Sequence, residues 1–444
     1  MISLKGTAAN ARLAGTLPKD WRLCRLKSVA SIRYGLGQPP LELSSGVAMI
    51  RATDVDAGKI RTYNLLRVDP AGLPADRNPY LKAGEIIVVR SGAYTGDSAI
   101  IPVALEGAVA GYDMVATVTR ALPHFVAYSL LSKYVIEDQI HLLTLRAAQP
   151  HLNAEELGSV VLAIPDTRQE QQRIAAYLDA SCAAIDAAVA AKRRQIEVLN
   201  TLCKANIKRA ITQGLDNDVA RRPSGLDWFR EIPLHWDCDH LKRLASRIQT
   251  GVTPPTDTPE YYSDGSIPWY APGSYDGDLE LREPRKLINE LALHEGALRV
   301  FPGQTVFLIG IGATIGKVGL ITEPASCNQQ IVGIVCNHRL IGRYLAYQLK
   351  IYEDVIPGIA PGTTLPIFDQ VKIGYLPVLV PPHDEQRGIC EFLDGKVAEV
   401  KRVILTIEQQ IETLFAYRKS LIHECVTGQR RITEDDLKKA KTHG

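Results

Sequence analysis

Thr167-Arg168-Gln169-Glu170-Gln171-Gln172-Arg173-Ile174-Ala175-Ala176-Tyr177-Leu178-Asp179 returns, 215 residues later, as Pro382-His383-Asp384-Glu385-Gln386-Arg387-Gly388-Ile389-Cys390-Glu391-Phe392-Leu393-Asp394. Glu, Gln, Ile, Leu and Asp keep their places. The same offset relates Trp21, Leu26, Lys27, Ala30 and Ser31 to Trp236, Leu241, Lys242, Ala245 and Ser246. It continues through Ala183/Ala398, Gln195/Gln410, Ile196/Ile411, Glu197/Glu412, Leu199/Leu414, Lys204/Lys419, Ile207/Ile422 and Thr212/Thr427. A period this long exceeds the roughly 20–50 residues of a solenoid unit. It marks a duplicated module with its own core. Two like modules in one chain favour a pseudo-twofold arrangement, which suits a ligand of near-twofold symmetry such as duplex DNA.

Each repeat opens with short runs rich in Val and Ile, bounded by Gly, Pro, Asp and Asn, which read as strands. They are Val47 to Arg51, Glu85 to Arg90, Ala99 to Val103 and Met114 to Val118, then Thr305 to Ile309, Val318 to Ile321 and Ile331 to Cys336. Helical patches follow near Phe125 to Leu143 and Ile341 to Tyr352. A long helix closes each repeat. Thr167 and Glu170 have capping-box spacing, and Gly214 stops the first helix. The second runs from His383 or Asp384 to about Thr427, with Gly428 beyond it. Leu393, Val397, Val400, Ile404, Ile407, Ile411 and Leu414 alternate four and three apart, a heptad seam. The first helix is looser and alanine-rich between Ala183 and Ala191. Each helix is on the order of 65 Å long at 1.5 Å per residue. Pairing the two antiparallel buries both stripes and predicts a dumbbell.

The expected fold is α+β, with two β-rich domains joined by two long antiparallel helices as a coiled-coil spacer and an internal pseudo-twofold repeat. The expected divisions are 1–164, 165–214, 215–382, 383–428 and a polar tail at 429–444. The 444 residues, 46% hydrophobic and 23% charged, describe an ordinary folded chain. The eight cysteines show neither paired nor metal-ligand spacing, as expected of reduced thiols in the cytoplasm. Met1 to Thr16 lacks the apolar core of a signal peptide. No run is read as a membrane span; the longest candidate, Val306 to Ile321, is broken by glycines and Lys317. A net charge of +2 requires any DNA grip to be local or shared with partners.

Catalytic patterns fail in detail. Gly310 to Lys317 resembles a phosphate loop, but Ile311 stands where its first glycine belongs and Val318 where Ser or Thr belongs. The glycine turn has a counterpart at Gly92-Ala93-Tyr94-Thr95-Gly96-Asp97, so a shared strand-turn-strand explains it. Its open backbone NH groups suit a phosphate contact. None of the Pro-Pro pairs has the Asn/Asp-Pro-Pro-aromatic form of an amino-methyltransferase. The chain is read as non-catalytic and without a metal or cofactor of its own.

Leu17-Pro18-Lys19-Asp20-Trp21 and Pro223-Ser224-Gly225-Leu226-Asp227-Trp228-Phe229-Arg230-Glu231-Ile232-Pro233-Leu234-His235-Trp236 resemble the entries to target recognition domains in type I restriction-modification specificity subunits. Pro165 ahead of Glu170-Gln171, and Pro381-Pro382 ahead of Glu385-Gln386, resemble that family's entries to its long helices. The resemblance spans about Leu17 to Thr427. It implies a cytoplasmic, sequence-specific double-stranded DNA-binding subunit. Each head would read half of a bipartite asymmetric target, while the spacer sets the gap and docks two methyltransferase subunits. S-adenosylmethionine would reside on those partners, and ATP with magnesium on restriction/translocase subunits. A stand-alone DNA binder, a two-headed coiled-coil adaptor and an unrecognised nuclease are the alternatives.

Arg, Lys, Asn and Gln suit base edges; Ser, Thr and Tyr suit positioning contacts. On that basis the first head offers Arg33, Tyr34, Arg51, Thr53, Arg90, Ser91, Tyr94, Thr95, Arg146, Gln149 and His151. The second offers Arg247, Thr250, Thr253, Trp269, Tyr270, Lys317, Asn328, Gln329, Gln330, Thr363 and Thr364. Divergence such as Asp113 against Gln330 predicts different half-sites.

Overall fold

The computed structural model describes residues 8–74, 78–144, 150–226, 229–353, 355–359 and 367–443. The chain forms two units, Met1–Arg193 with Glu408–Gly444, and Arg194–Ile407. Each unit thus holds one β-rich head and a piece of both long helices.

In the first unit Trp21–Arg25 pairs antiparallel with Val161–Pro165, tying the head's first strand to its last. Between them lies a four-stranded antiparallel sheet in the order Ala30–Tyr34, Met114–Val118, Ile86–Val88, Ser98–Ile100. A smaller sheet sets Glu42–Ile50 parallel to Val109–Ala110 and antiparallel to Leu66–Val68. The second unit repeats this plan. Asp237–His240 pairs with Pro377–Val380. Its four strands lie in the order Ala245–Thr250, Ile331–Cys336, Val306–Ile309, Val318–Leu320. Its other sheet likewise has a parallel pair, Ile267–Tyr270 with Ala325–Cys327. Apolar residues on both faces bury these central strands, which is why they read as continuous runs.

The long helices span Arg168–Gln213 and His383–Val426. Gly214 and Gly428 follow at φ +75° and +76°, left-handed positions where a side chain would be strained. A Cβ on Gly214 would press on Trp236, and one on Gly428 on Pro18. The repeated residues are largely fasteners. Trp21 Nε1 donates to Glu170 Oε1 (3.3 Å), and Trp236 Nε1 to Glu385 Oε2 (2.9 Å). Gln171 accepts from Leu122 N and donates to Pro165 O; Gln386 accepts from Ile341 N and donates to Pro381 O. Thr167 caps Glu170 N, but the Glu170 carboxylate does not reach back as a capping box requires. It is drawn instead to Trp21 and Arg431.

Within the first unit the two helix pieces run in opposite directions. Lys192 meets Gln410 (2.6 Å) and Asp186 meets Arg418 (3.2 Å). Ile174, Leu178 and Cys182 share a core with Leu421, Ile422 and Cys425. In the second unit Ile211 shares a core with Ile389 and Leu393.

Two sequence expectations change. An 18-residue window of Arg168–Gln213 reaches mean hydropathy 1.5, long and apolar enough to count as a candidate span, although 39% of it is buried. The alanine-rich stretch raises the average without making a continuous run of large side chains. Its large members, Ile174, Leu178, Ile185 and Val189, are buried in protein. The stretch 429–444 is more than a polar tail. It carries the helix Glu434–His443, with Ile432 buried and Leu437 and Ala440 packed on the first unit's core.

Candidate nucleic-acid interface

The glycine turns occupy the same backbone frame in both heads. Gly96 N donates to Val89 O and Gly316 N to Ile309 O, both at 2.8 Å. Leu152 N donates to Arg90 O and Phe368 N to Gly310 O, again at 2.8 Å. Isolated bridges join Ser91 to His151 and Ile311 to Ile367. Gly35 N donates to Asp113 O, and Gly251 N to Ile331 O. These bonds equate Arg90 with Gly310, Tyr34 with Thr250, Tyr112 with Gln330, and His151 with Ile367. Asp113 therefore corresponds to Ile331, not to the Gln330 set against it in the sequence.

On this frame the first head builds a stack. The Arg90 guanidinium carbon lies 4.8 Å from the Tyr34 ring centroid and 4.1 Å from that of Tyr112. Its Nη2 donates to Tyr112 Oη (3.1 Å) and lies 3.4 Å from His151 Nε2. Tyr34 is held by Ala154 N, which donates to its hydroxyl. Ser91 Oγ lies 2.8 Å from His151 Nδ1. This is not an activated serine. Nε2 faces a cation, so it is best used as an acceptor, leaving Nδ1–H to donate to Ser91; a nucleophile needs the reverse.

Asp113, 2% exposed, accepts from Arg90 N (3.2 Å). Desolvation pushes its carboxyl up to about 6, against the lowering effects of the Arg90 NH and charge. A cleft of about 380 Å³ opens beside it, lined by residues including Met49, Arg51, Thr53, Ser91 and Tyr112. Thr53 and Tyr94 are exposed. Arg51 closes on Asp54, and Thr95 is buried, donating to Gly92 O. Arg33 is engaged with buried Glu85 through both carboxylate oxygens (2.6 and 2.8 Å), Thr117 and Tyr80 O. Burial drives the Glu85 carboxyl up, but Arg33, Lys82 N and Thr117 together hold it below its ordinary value.

The second head places neutral amides in the corresponding region. Asn328 Nδ2 donates to Gln330 Oε1 (3.0 Å), and Gln330 N donates to Asn328 Oδ1 (3.1 Å). Thr253 Oγ1 donates to Gln329 Oε1 (2.5 Å). Gln330 Nε2 would lie 3.3 Å from a Cβ placed on Gly312. Lys317 is exposed on the glycine turn. Other candidates serve the frame. Trp269 and Tyr270 are buried, donating to Val252 O and Leu281 O. Arg247 donates to Val300 O and lies over Phe301; Thr250 O accepts from Arg299.

The structure therefore gathers Tyr34, Arg90, Ser91 and His151 in one cluster, and Thr253, Asn328, Gln329 and Gln330 in another. Arg146, Gln149, Thr363 and Thr364 lie outside the described residues. Sequence reasoning passed over Tyr112 and used Asp113 only to mark divergence. The signal was their placement just ahead of the apolar Met114–Val118 strand, in the loop equivalent to Asn328-Gln329-Gln330.

Residues 18–198 and 236–413 match the family model for the type I restriction modification DNA specificity domain. The chain belongs to that family. Its members are the non-catalytic DNA-recognition subunits of type I systems, and this specificity subunit carries the domain twice. It is 22% identical over 429 residues to the putative type I restriction enzyme MjaX specificity subunit of Methanocaldococcus jannaschii, covering 94% of this chain and 95% of that one. It is 30% identical over 168 residues to the MjaIX specificity subunit of the same organism, covering 37% of this chain and 38% of that one. Its fold is similar to a chain from a study of complex assembly and conformational transition in the type I R-M system, with TM-score 0.72, 17% identity, and coverage of 94% and 100%. It is also similar to the HsdS subunit of Thermoanaerobacter tengcongensis, with TM-score 0.52, 16% identity, and coverage of 96% and 100%.

Proposed function

We propose that this specificity subunit directs a cytoplasmic type I restriction-modification enzyme to a bipartite, asymmetric DNA target. The heads, 1–164 and 215–382, each read one half-site. The long helices at 165–214 and 383–428 set the gap and dock two methyltransferase subunits. Those partners bind S-adenosylmethionine and methylate adenine; restriction/translocase subunits supply ATP- and magnesium-dependent work. The observation carrying this reading is a shared backbone frame bearing different polar groups in the two heads. A common frame with interchangeable chemistry suits two related but unequal half-sites. Exposed apolar side chains on the helices, including Val198, Leu202 and Leu405 in one unit and Tyr417 in the other, support docking by partners.

Long-read methylation mapping tests this in a host expressing the chain with its neighbouring methyltransferase subunit. A split, asymmetric adenine-methylation motif that vanishes without this chain is the expected result. No motif from a soluble, associated complex would contradict it.

A further inference from the structure

The geometry points to Arg90 as the residue through which the first head recognises a guanine in its half-site. The inference rests on the DNA-reading role proposed above and adds a base and a residue to it. A guanidinium recognises guanine by offering two NH donors to O6 and N7 in the major groove. Such a fork is effective when already held in place, because little rotamer entropy remains to be lost on binding. Arg90 meets that condition. Its guanidinium carbon lies close to both the Tyr34 and Tyr112 ring centroids (4.8 and 4.1 Å), its backbone NH is fixed by Asp113, and one hydrogen of Nη2 is spent on Tyr112 Oη.

Among the described residues no acceptor meets Nη1. The remaining Nη2 contact, 3.4 Å to His151, is at the weak end of the hydrogen-bond range. Nε is buried without a partner, so the fork open to a ligand is Nη1 with Nη2, whose second hydrogen would leave the weak His151 contact for the base. A phosphate could use the same donors, but a guanidinium held against two aromatic rings favours a planar, in-plane acceptor pair. The equivalent position in the second head is Gly310, so no fork can form there. Gln330, equivalent to Tyr112, supplies an amide instead.

The test is methylation mapping of the wild-type complex beside Arg90→Ala and Arg90→Lys variants. The second half-site serves as an internal control. One guanine position of the first half-site should lose its preference by roughly 10- to 100-fold in both variants, with the second half-site unchanged. Lysine keeps charge and length but not the planar fork, so relaxation by Arg90→Lys separates base reading from phosphate binding. An unchanged motif in both variants overturns the assignment. So does relaxation at a position other than guanine, or loss of methylation by Arg90→Ala with the guanine preference intact in Arg90→Lys, which assigns Arg90 to packing or phosphate contact. A wild-type map without a split motif removes the reading beneath the assignment, and the assignment with it.

Discussion

The two heads differ most where their backbones agree best. Around the glycine turn the first head places Arg90, Tyr34, Tyr112 and His151 where the second places Gly310, Thr250, Gln330 and Ile367. Asp113 in the first becomes Ile331 in the second, both buried. By contrast the fasteners of head to helix are the same in both: Trp21 on Glu170 and Trp236 on Glu385, with Gln171 and Gln386 repeating one bonding pattern. Duplication has kept the frame and released the surface. For a reader of split targets, that separation lets a half-site change without disturbing the join between head and spacer.

The largest effects should fall on the shared frame. Trp21→Ala and Trp236→Ala should each destabilise their own unit by about 3–5 kcal/mol, because each removes a large buried ring and its hydrogen bond to the long helix. Denaturant unfolding monitored separately for the two units checks this. Effects differing severalfold would break the claim that the fasteners are equivalent.

Next comes a contact particular to the first head. Arg33→Ala should cost about 2 kcal/mol, since Glu85 stays buried without its main cation. The methylation motif should be unchanged. A relaxed first half-site would instead make Arg33 a reader.

An effect of comparable size and opposite sign is expected at Asp113. Its folded value, about 6, exceeds the usual carboxylate range because burial disfavours the charge. The folded state then holds the proton more firmly than the unfolded state. Stability therefore falls as pH rises from about 4 to about 6, and the penalty is fully present at pH 7. Asp113→Asn should raise stability at pH 7 by about 2 kcal/mol, and the gain should vanish below about pH 4. Melting curves across that range decide it; a gain independent of pH would refute the burial account.

The smallest effect belongs to Lys317, exposed on the second head's turn. Lys317→Ala should weaken DNA binding of the assembled complex alike on all sequences and reduce the salt slope by about 1. A change confined to one base position would move Lys317 from positioning to reading.

The fold was legible because its determinants repeat. Heptad spacing, Pro and Gly punctuation and the Glu-Gln pair announce the long helices in the sequence itself. The interface was only partly legible. Arginine is an equally good base reader, ion-pair partner or lid on an aromatic ring. Nothing local distinguishes Arg90 in its stack from Arg33 on Glu85 or Arg247 over Phe301. Trp269 and Tyr270 read as surface aromatics because the parallel strand paired with them lies 57 residues on, at Ser326 and Cys327. Counting along the repeat also missed the register. Insertions between the heads shift the offset, and only backbone bonds pair Asp113 with Ile331.

The most direct test of two readers on one frame is a duplicated head. Residues 21–165 would be replaced by residues 236–380, which join the long helices at equivalent points, and the complex with its methyltransferase mapped by long-read sequencing. The account predicts a symmetric split motif made of the second half-site twice, in inverted orientation. Persistence of the original first half-site, in a chain that no longer contains the first head, would contradict it.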